Sequence, residues 1–435
     1  MYVKKISLAQ LAASLRSGHK NLNDYINETC DLIDEVEPYL KALLPEPDRR
    51  QRLLKEAQEL ENKFPNPDNR PSLYGILTGI KDIYSVEGFA TQAGSRLPAE
   101  LFSVPEAQSV RLIKQAGALI LGKTVTTEFA YFHPGPTRNP YNLGHTPGGS
   151  SSGSAAAVAA GFCPLAFGTQ TIGSIIRPAA YCGIIGFKPS YNRIPTEGLV
   201  YFSITSDHVG LFTQDIEGMK LAASVLCTNW QTSSTEKRDL PVLGVPEGPY
   251  LKQATPEALD AFGEQIEFLE AKGYEIKRVQ ALGDIQDIND RHRRLGAAEM
   301  ARVHRLWYQE YKALYSDHSA KVYEKGEKIT DQELAQLQTK GLELRESLAN
   351  SMAQTGIDLW LSPAATDWAP RGLESTGNPI MNLPWTHAGM PVISLPAGWA
   401  YNGLPLGLQV SALFGYDERM LSWSDNIFKV LQDIR

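Results

Sequence analysis

The run from Thr146 to Thr196 constrains this chain more than any other part of it. It opens Pro147-Gly148-Gly149-Ser150-Ser151-Ser152-Gly153-Ser154 and continues as the alanine-rich Ala155 to Gly161. It then reads Gly168-Thr169-Gln170-Thr171-Ile172-Gly173-Ser174-Ile175-Ile176-Arg177-Pro178. Two Gly/Ser loops therefore flank one helix of small residues. Small residues let backbone segments approach closely, so the unit can bring two serine hydroxyls together beside a row of backbone N–H groups. Such loops also occur as plain turns or linkers, and composition alone does not separate these readings. The Gly/Ser loop is not a Walker phosphate loop, because no Gly-Lys-Ser/Thr follows its glycines.

The 435-residue chain is long enough for two or three domains, or for one continuous α/β core. A formal net charge of −7 argues against a nucleic-acid or anionic-membrane partner. The four cysteines, Cys30, Cys163, Cys182 and Cys227, form no CxxC pair, so neither a zinc site nor a disulfide framework is expected. Met1 to Ile6 lacks the apolar core of a signal peptide, and no apolar run reaches membrane-spanning length. A cytoplasmic protein is expected, as a monomer or homodimer, without metal or cofactor.

Residues 1–64 read as helical. Ser7 caps a helix with apolar Leu8, Leu11, Ala12 and Leu15 that ends at Gly18. Two more helices are predicted over 24–36 and 49–63. From about Leu73 short apolar strands alternate with helices: 75–80, 118–122, 182–188, 243–246, 358–361 and 392–396 read as strands. The expected fold is α/β, a mixed central sheet covered on both faces by helices. The expected domain is a single catalytic unit over 1–435, with its core at 73–216. The charged helical stretch at about 285–355 would be a variable region or lid, and Thr330-Asp331-Gln332-Glu333 is a capping box within it.

Three residues carry candidate chemistry. Lys81 follows the apolar Leu77-Thr78-Gly79-Ile80; it is either a surface lysine at a strand end or a desolvated amine able to act as a neutral base. Ser150 follows a Gly-Gly pair. Ser174, in Ile172-Gly173-Ser174, lies 24 residues further on. Asn139-Pro140-Tyr141-Asn142 precedes the first loop, and Gly186-Phe187-Lys188-Pro189 follows the second. With Asn382-Leu383-Pro384-Trp385-Thr386 and Gly403-Leu404-Pro405-Leu406-Gly407-Leu408-Gln409, these elements resemble the amidase signature family of serine hydrolases, strongly over 73–216 and less so over 356–412.

The resemblance implies a Ser–Ser–Lys triad: Ser174 as nucleophile, Ser150 as proton relay after a cis Gly149–Ser150 peptide, and neutral Lys81 as base. It also implies an oxyanion hole from the backbone N–H groups of Thr171, Ile172, Gly173 and Ser174. Tyr131, Phe132, Gly149, Ile172 and His387 are candidate pocket residues. Arg177 is either a loop-pinning hydrogen-bond donor or a structural ion-pair partner. Three positions depart from the family's common form: Ser152 and Ile172 replace glycines, and Gln170 stands where aspartate is frequent. A β-branched residue at 172 demands an ordinary backbone there.

The function so implied is hydrolysis of small or medium amides, aryl amides or carbamates (urethanes) through an acyl-enzyme. Two other readings stand beside it. One is the amidase-like subunit of a tRNA-dependent amidotransferase, releasing ammonia for a partner. The other takes Gly149-Ser150-Ser151-Ser152-Gly153 as an α/β-hydrolase elbow, with Ser151 as nucleophile and His208 or His387 as base. A silent binding protein on the same fold would not need all three triad residue types.

Overall fold

The computed structural model describes residues 1–231 and 240–434. Ten strands form one sheet: β1 (Leu77–Lys81), β2 (Leu119–Thr124), β3 (Leu165–Gln170), β4 (Ile185–Lys188), β5 (His208–Thr213), β6 (Leu243–Glu247), β7 (Ile276–Gln280), β8 (Leu359–Pro363), β9 (Val392–Trp399) and β10 (Pro405–Ser411). Their spatial order is β2-β1-β3-β5-β4-β9-β10-β8-β6-β7. The β2-β1-β3 and β8-β6-β7 ends are parallel, and the strands between them pair antiparallel. Every residue of β1 to β5 and of β8 is buried. Continuous burial requires cover on both faces, and the flanking helices supply it.

The first helix, Leu8–Ser17, follows its sequence signals. Ser7 Oγ accepts from Gln10 N, Leu8, Ala12 and Leu15 are buried, and Gly18 closes the helix at φ 79°. Helices at Leu22–Leu40 and Arg49–Lys63 complete the N-terminal segment. The charged stretch forms four helices, Ile285–Val303, Arg305–Tyr311, Asp317–Gly326 and Asp331–Thr355, the last opened by the Thr330/Glu333 capping box.

Four strands go beyond the sequence-based expectation: β3, β5, β7 and β10. Strand β3 is hidden in the sequence because it continues the alanine-rich run of the preceding helix, Ser152–Ala159, across Gly161 and Pro164. Strand β7 is half exposed and carries Lys277 and Arg278, so it lacks a buried-strand pattern. Among the described residues no helix is long and apolar enough to cross a membrane.

Candidate active site

Lys81 ends β1 and is fully buried, because β2 and β3 flank that strand on both sides. Its Nζ lies 2.7 Å from Ser150 Oγ and 2.8 Å from Thr169 Oγ1. The adjacent carboxylate is turned away: Asp82 pairs with Lys123 at 2.8 Å. Burial pushes the Lys81 amine down to about 7, and Asp207, at longer range, opposes this only in part. A desolvated amine held by two hydroxyls has little to retain its proton. Once neutral it offers a lone pair, and the Ser150 O–H can then donate to it.

Asp207 is itself pushed up to about 6 by burial. The Thr171 hydroxyl donates to it, as do the N–H groups of Phe202 at 2.8 Å and Ser203 at 3.1 Å. Neither Thr169 nor Asp207 is singled out by the sequence reading. Thr169 carries a usable signal, since it sits in the same Gly-Thr element that leads to Ser174.

The Gly149–Ser150 peptide is cis. Arg177, 2% exposed, donates to Gly149 O at 2.6 Å, to Thr376 Oγ1 at 3.2 Å and to Gly377 O at 2.7 Å. Its partners are neutral oxygens, so it acts as a hydrogen-bonding clamp on the Ser150 loop and not as an ion-pair partner. Gly148 takes φ 83° with its Cα face against Pro178, where an added Cβ would lie 2.8 Å from Pro178 Cα. The departure at Ser152 is accommodated simply, its hydroxyl donating to Gly148 O at 2.8 Å.

Ser174 follows β3 through the Thr171–Gly173 loop. Gln170 organises that loop: its Oε1 accepts from Ile175 N at 2.8 Å and Ile176 N at 3.1 Å, and its Nε2 donates to Thr386 Oγ1 at 2.9 Å. A neutral amide makes both kinds of bond without burying a charge, which an aspartate here would do. Ile172 is not among the positive-φ residues, as its β-branch demands. Among the described residues, no acceptor takes the N–H of Thr171, Ile172, Gly173 or Ser174.

Ser150 and Ser174 line one small cavity together with Tyr131, Phe132, Ile172 and Phe202. No hydrogen bond joins the two hydroxyls among the described residues, so a direct proton transfer needs the Ser174 side chain to turn toward Ser150. A second space of about 530 Å³, including its mouth, shares Tyr131, Phe132, Ile172 and Phe202 and adds Val322, Leu383 and Arg293. Phe129 and Ala130 take φ 49° and 59°, a left-handed pair that turns Tyr131 and Phe132 into this wall. Of the expected pocket residues, Tyr131, Phe132 and Ile172 line it. Gly149 lines neither space; its carbonyl accepts from Arg177, which itself lines the smaller cavity. His387 does not line them either, because its ring is packed against His292.

The elbow reading has no geometric support. Ser151 is fully buried, and its Oγ donates to Thr169 O at 3.2 Å. His208 Nδ1 sits 2.6 Å from Ser206 O, and His387 pairs with His292, so neither histidine serves Ser151. Ser151→Ala is expected to keep kcat/KM within about threefold while costing about 1 kcal/mol of stability, read by urea unfolding. A second pattern is also structural: Gly117-Ala118-Leu119-Ile120-Leu121-Gly122-Lys123-Thr124 spells a phosphate-loop consensus but is strand β2, with Lys123 buried against Asp82.

Residues 24–421 match the amidase family. The chain belongs to the amidase signature family. Within it, a glutamyl-tRNA(Gln) amidotransferase subunit of Sulfurisphaera tokodaii is 30% identical over 473 aligned positions, covering 98% of either chain. A crystal structure of an amidase superposes with TM-score 0.88 at 28% identity, over 98% of this chain and 100% of that one. The peptide amidase of Stenotrophomonas maltophilia shares the fold, with TM-score 0.82 at 22% identity over 99% of this chain and 97% of that one.

Proposed function

We propose that this family member is a stand-alone serine hydrolase of amide, aryl amide or carbamate C–N bonds. The observation that carries the reading is a buried amine, free of any contacting carboxylate, 2.7 Å from the hydroxyl of Ser150 in a cavity that Ser174 also lines. Ser174 Oγ attacks the carbonyl carbon. Its proton passes to Ser150 Oγ as the Ser150 proton passes to Lys81 Nζ. The N–H groups of Thr171, Ile172, Gly173 and Ser174 are the donors for the oxyanion. Collapse breaks the C–N bond, and the amine leaves with the proton returned through Ser150. Water then attacks the acyl-enzyme under the same relay.

The cavity wall favours an apolar or aromatic group on the substrate. Tyr131, Phe132, Phe202, Val322 and Leu383 offer it rings and methyl groups, and the polar groups Asn378, His292 and Arg293 are few. Two of the four charged helices, Ile285–Val303 and Asp317–Gly326, contribute part of this wall and are the segment able to act as a lid.

A second reading rests on the Sulfurisphaera tokodaii relative, which is part of an amidotransferase. In that case the same triad would release ammonia from an amide for a partner protein. A 4-nitroanilide and a matched aryl carbamate separate the two. Turnover of either by the isolated chain supports the stand-alone hydrolase and ranks the leaving groups. Turnover of neither, with ammonia released from glutamine once a partner is added, would support the amidotransferase reading instead.

A further inference from the structure

Two helices outside the triad hold the carbonyls of the Ser174 loop. The Thr171 carbonyl faces His292 Nε2 at 2.9 Å, from the Ile285–Val303 helix. The Ile172 carbonyl accepts from Thr386 Oγ1 at 2.7 Å, from the short Leu383–His387 helix. In a trans peptide the C=O and the following N–H point in opposite directions. Fixing the Thr171 carbonyl outward therefore aims the Ile172 N–H the other way, and fixing the Ile172 carbonyl does the same for the Gly173 N–H. These are two of the four N–H groups, those of Thr171, Ile172, Gly173 and Ser174, without an acceptor among the described residues.

The hydrogen-bond partners also settle the protonation pattern. A carbonyl can only accept, so His292 Nε2 carries a hydrogen. His292 Nδ1 lies 3.2 Å from His387 Nδ1. In a neutral pair His292 Nδ1 accepts, and His387 Nδ1 must donate. His387 Nε2 is then a bare acceptor, and it is buried without a partner. Burial holds both rings far toward the neutral form, His292 near 4 and His387 near 3. Hydrogen bonding thus runs in one direction, from His387 through His292 to the Thr171 carbonyl.

We infer that His292, oriented by His387, and Thr386 are positioning residues that preorganise the oxyanion hole through the loop carbonyls. The inference rests on Ser174 being the nucleophile. Neither side chain touches the reacting atoms. Each acts through a peptide plane, so the effect falls on the charged tetrahedral state; because His292 also lines the wider cavity and Thr386 does not, the Thr386 variants separate this effect from ground-state binding.

The test uses the full-length protein and whichever of the 4-nitroanilide or aryl carbamate it turns over. Substitutions are His292→Leu, His292→Gln, Thr386→Val and Thr386→Ser. The leucine and valine variants are expected to lose about 10- to 100-fold in kcat, with KM within about threefold for Thr386→Val, because a loosened donor forfeits part of what its removal would. Gln and Ser, which keep a donor, should recover most of that loss. A phenylalkyl trifluoromethyl ketone gives the readout that a packing defect would not move. Its carbonyl carbon adds the Ser174 oxygen, and the hydroxyl proton passes to Lys81, leaving a tetrahedral oxyanion with no leaving group. Its inhibition constant should rise by the same factor as kcat/KM falls. Wild-type kcat in both His292→Leu and Thr386→Val, or a loss of kcat with unchanged ketone affinity, would overturn the inference. If either variant fails to fold, the other tests its own carbonyl independently. Activity retained in Ser174→Ala would instead overturn the reading beneath it.

Discussion

Ser174→Ala is expected to lower kcat by about 10⁶, while substrate affinity and fold stay close to wild type. The magnitude follows from removal of the only atom that forms the acyl bond; comparable nucleophile deletions in serine hydrolases are of that order. The loop should keep its shape, because Gln170, Thr386 and His292 hold its backbone and none of them uses the Ser174 hydroxyl. Initial rates on the better of the two chromogenic substrates, with a thermal melt beside them, check this. A variant that retained more than about a hundredth of the rate would mean that another group attacks.

Lys81→Met is expected to lower kcat/KM by about 10³ or more, since it removes the base while keeping an apolar stem of similar length. Its wild-type counterpart is a pH profile. The base works only when neutral. Because burial holds Lys81 near 7 and not at its usual 10.5, kcat/KM should rise with pH through about 7 and level off above it. An ordinary lysine would keep the rate rising toward pH 10. Ser150→Ala should fall with Lys81→Met, and the double variant should be little worse than either single one, because the two act as a unit. An unchanged acid limb in Lys81→Met would assign the titration to a different group.

The sequence carried the catalytic unit further than it carried the sheet. Lys81, Ser150 and Ser174 stand out through the family resemblance; the glycines beside them mark close backbone approach, but a Gly/Ser loop alone reads equally as a turn. Gly173 illustrates the approach: an added Cβ there would fall against Asn382 and Pro379. The helix caps at Ser7, Gly18 and Thr330 are equally legible, since capping is local chemistry. Strand β3 is not, because it runs on from the alanine-rich helix with no change of apolar character; β5 carries Gly210 in mid-strand, and β10 opens in the Pro/Gly-rich Gly403 to Gly407 stretch that reads as a loop. The pocket is legible only where residues lie close to the signature in the chain, as Tyr131, Phe132 and Ile172 do. Phe202, Val322 and Arg293 reach it by tertiary packing from remote elements. His387 is misplaced by sequence for the same reason: nothing there announces its pairing with His292, 95 residues away. Gln170 reads as a departure until its two backbone bonds explain it.

An acyl-enzyme on Ser174, formed with Lys81 as base, is the chemistry on which the whole mechanism depends. Intact-protein mass spectrometry after treatment with an aryl carbamate, followed by peptide mapping, tests it in one experiment. The expected result is one carbamoyl adduct per chain, located on Ser174, absent from Ser174→Ala and slowed at least about a hundredfold in Lys81→Met. An adduct on Ser151, or one that forms equally fast without Lys81, would contradict it.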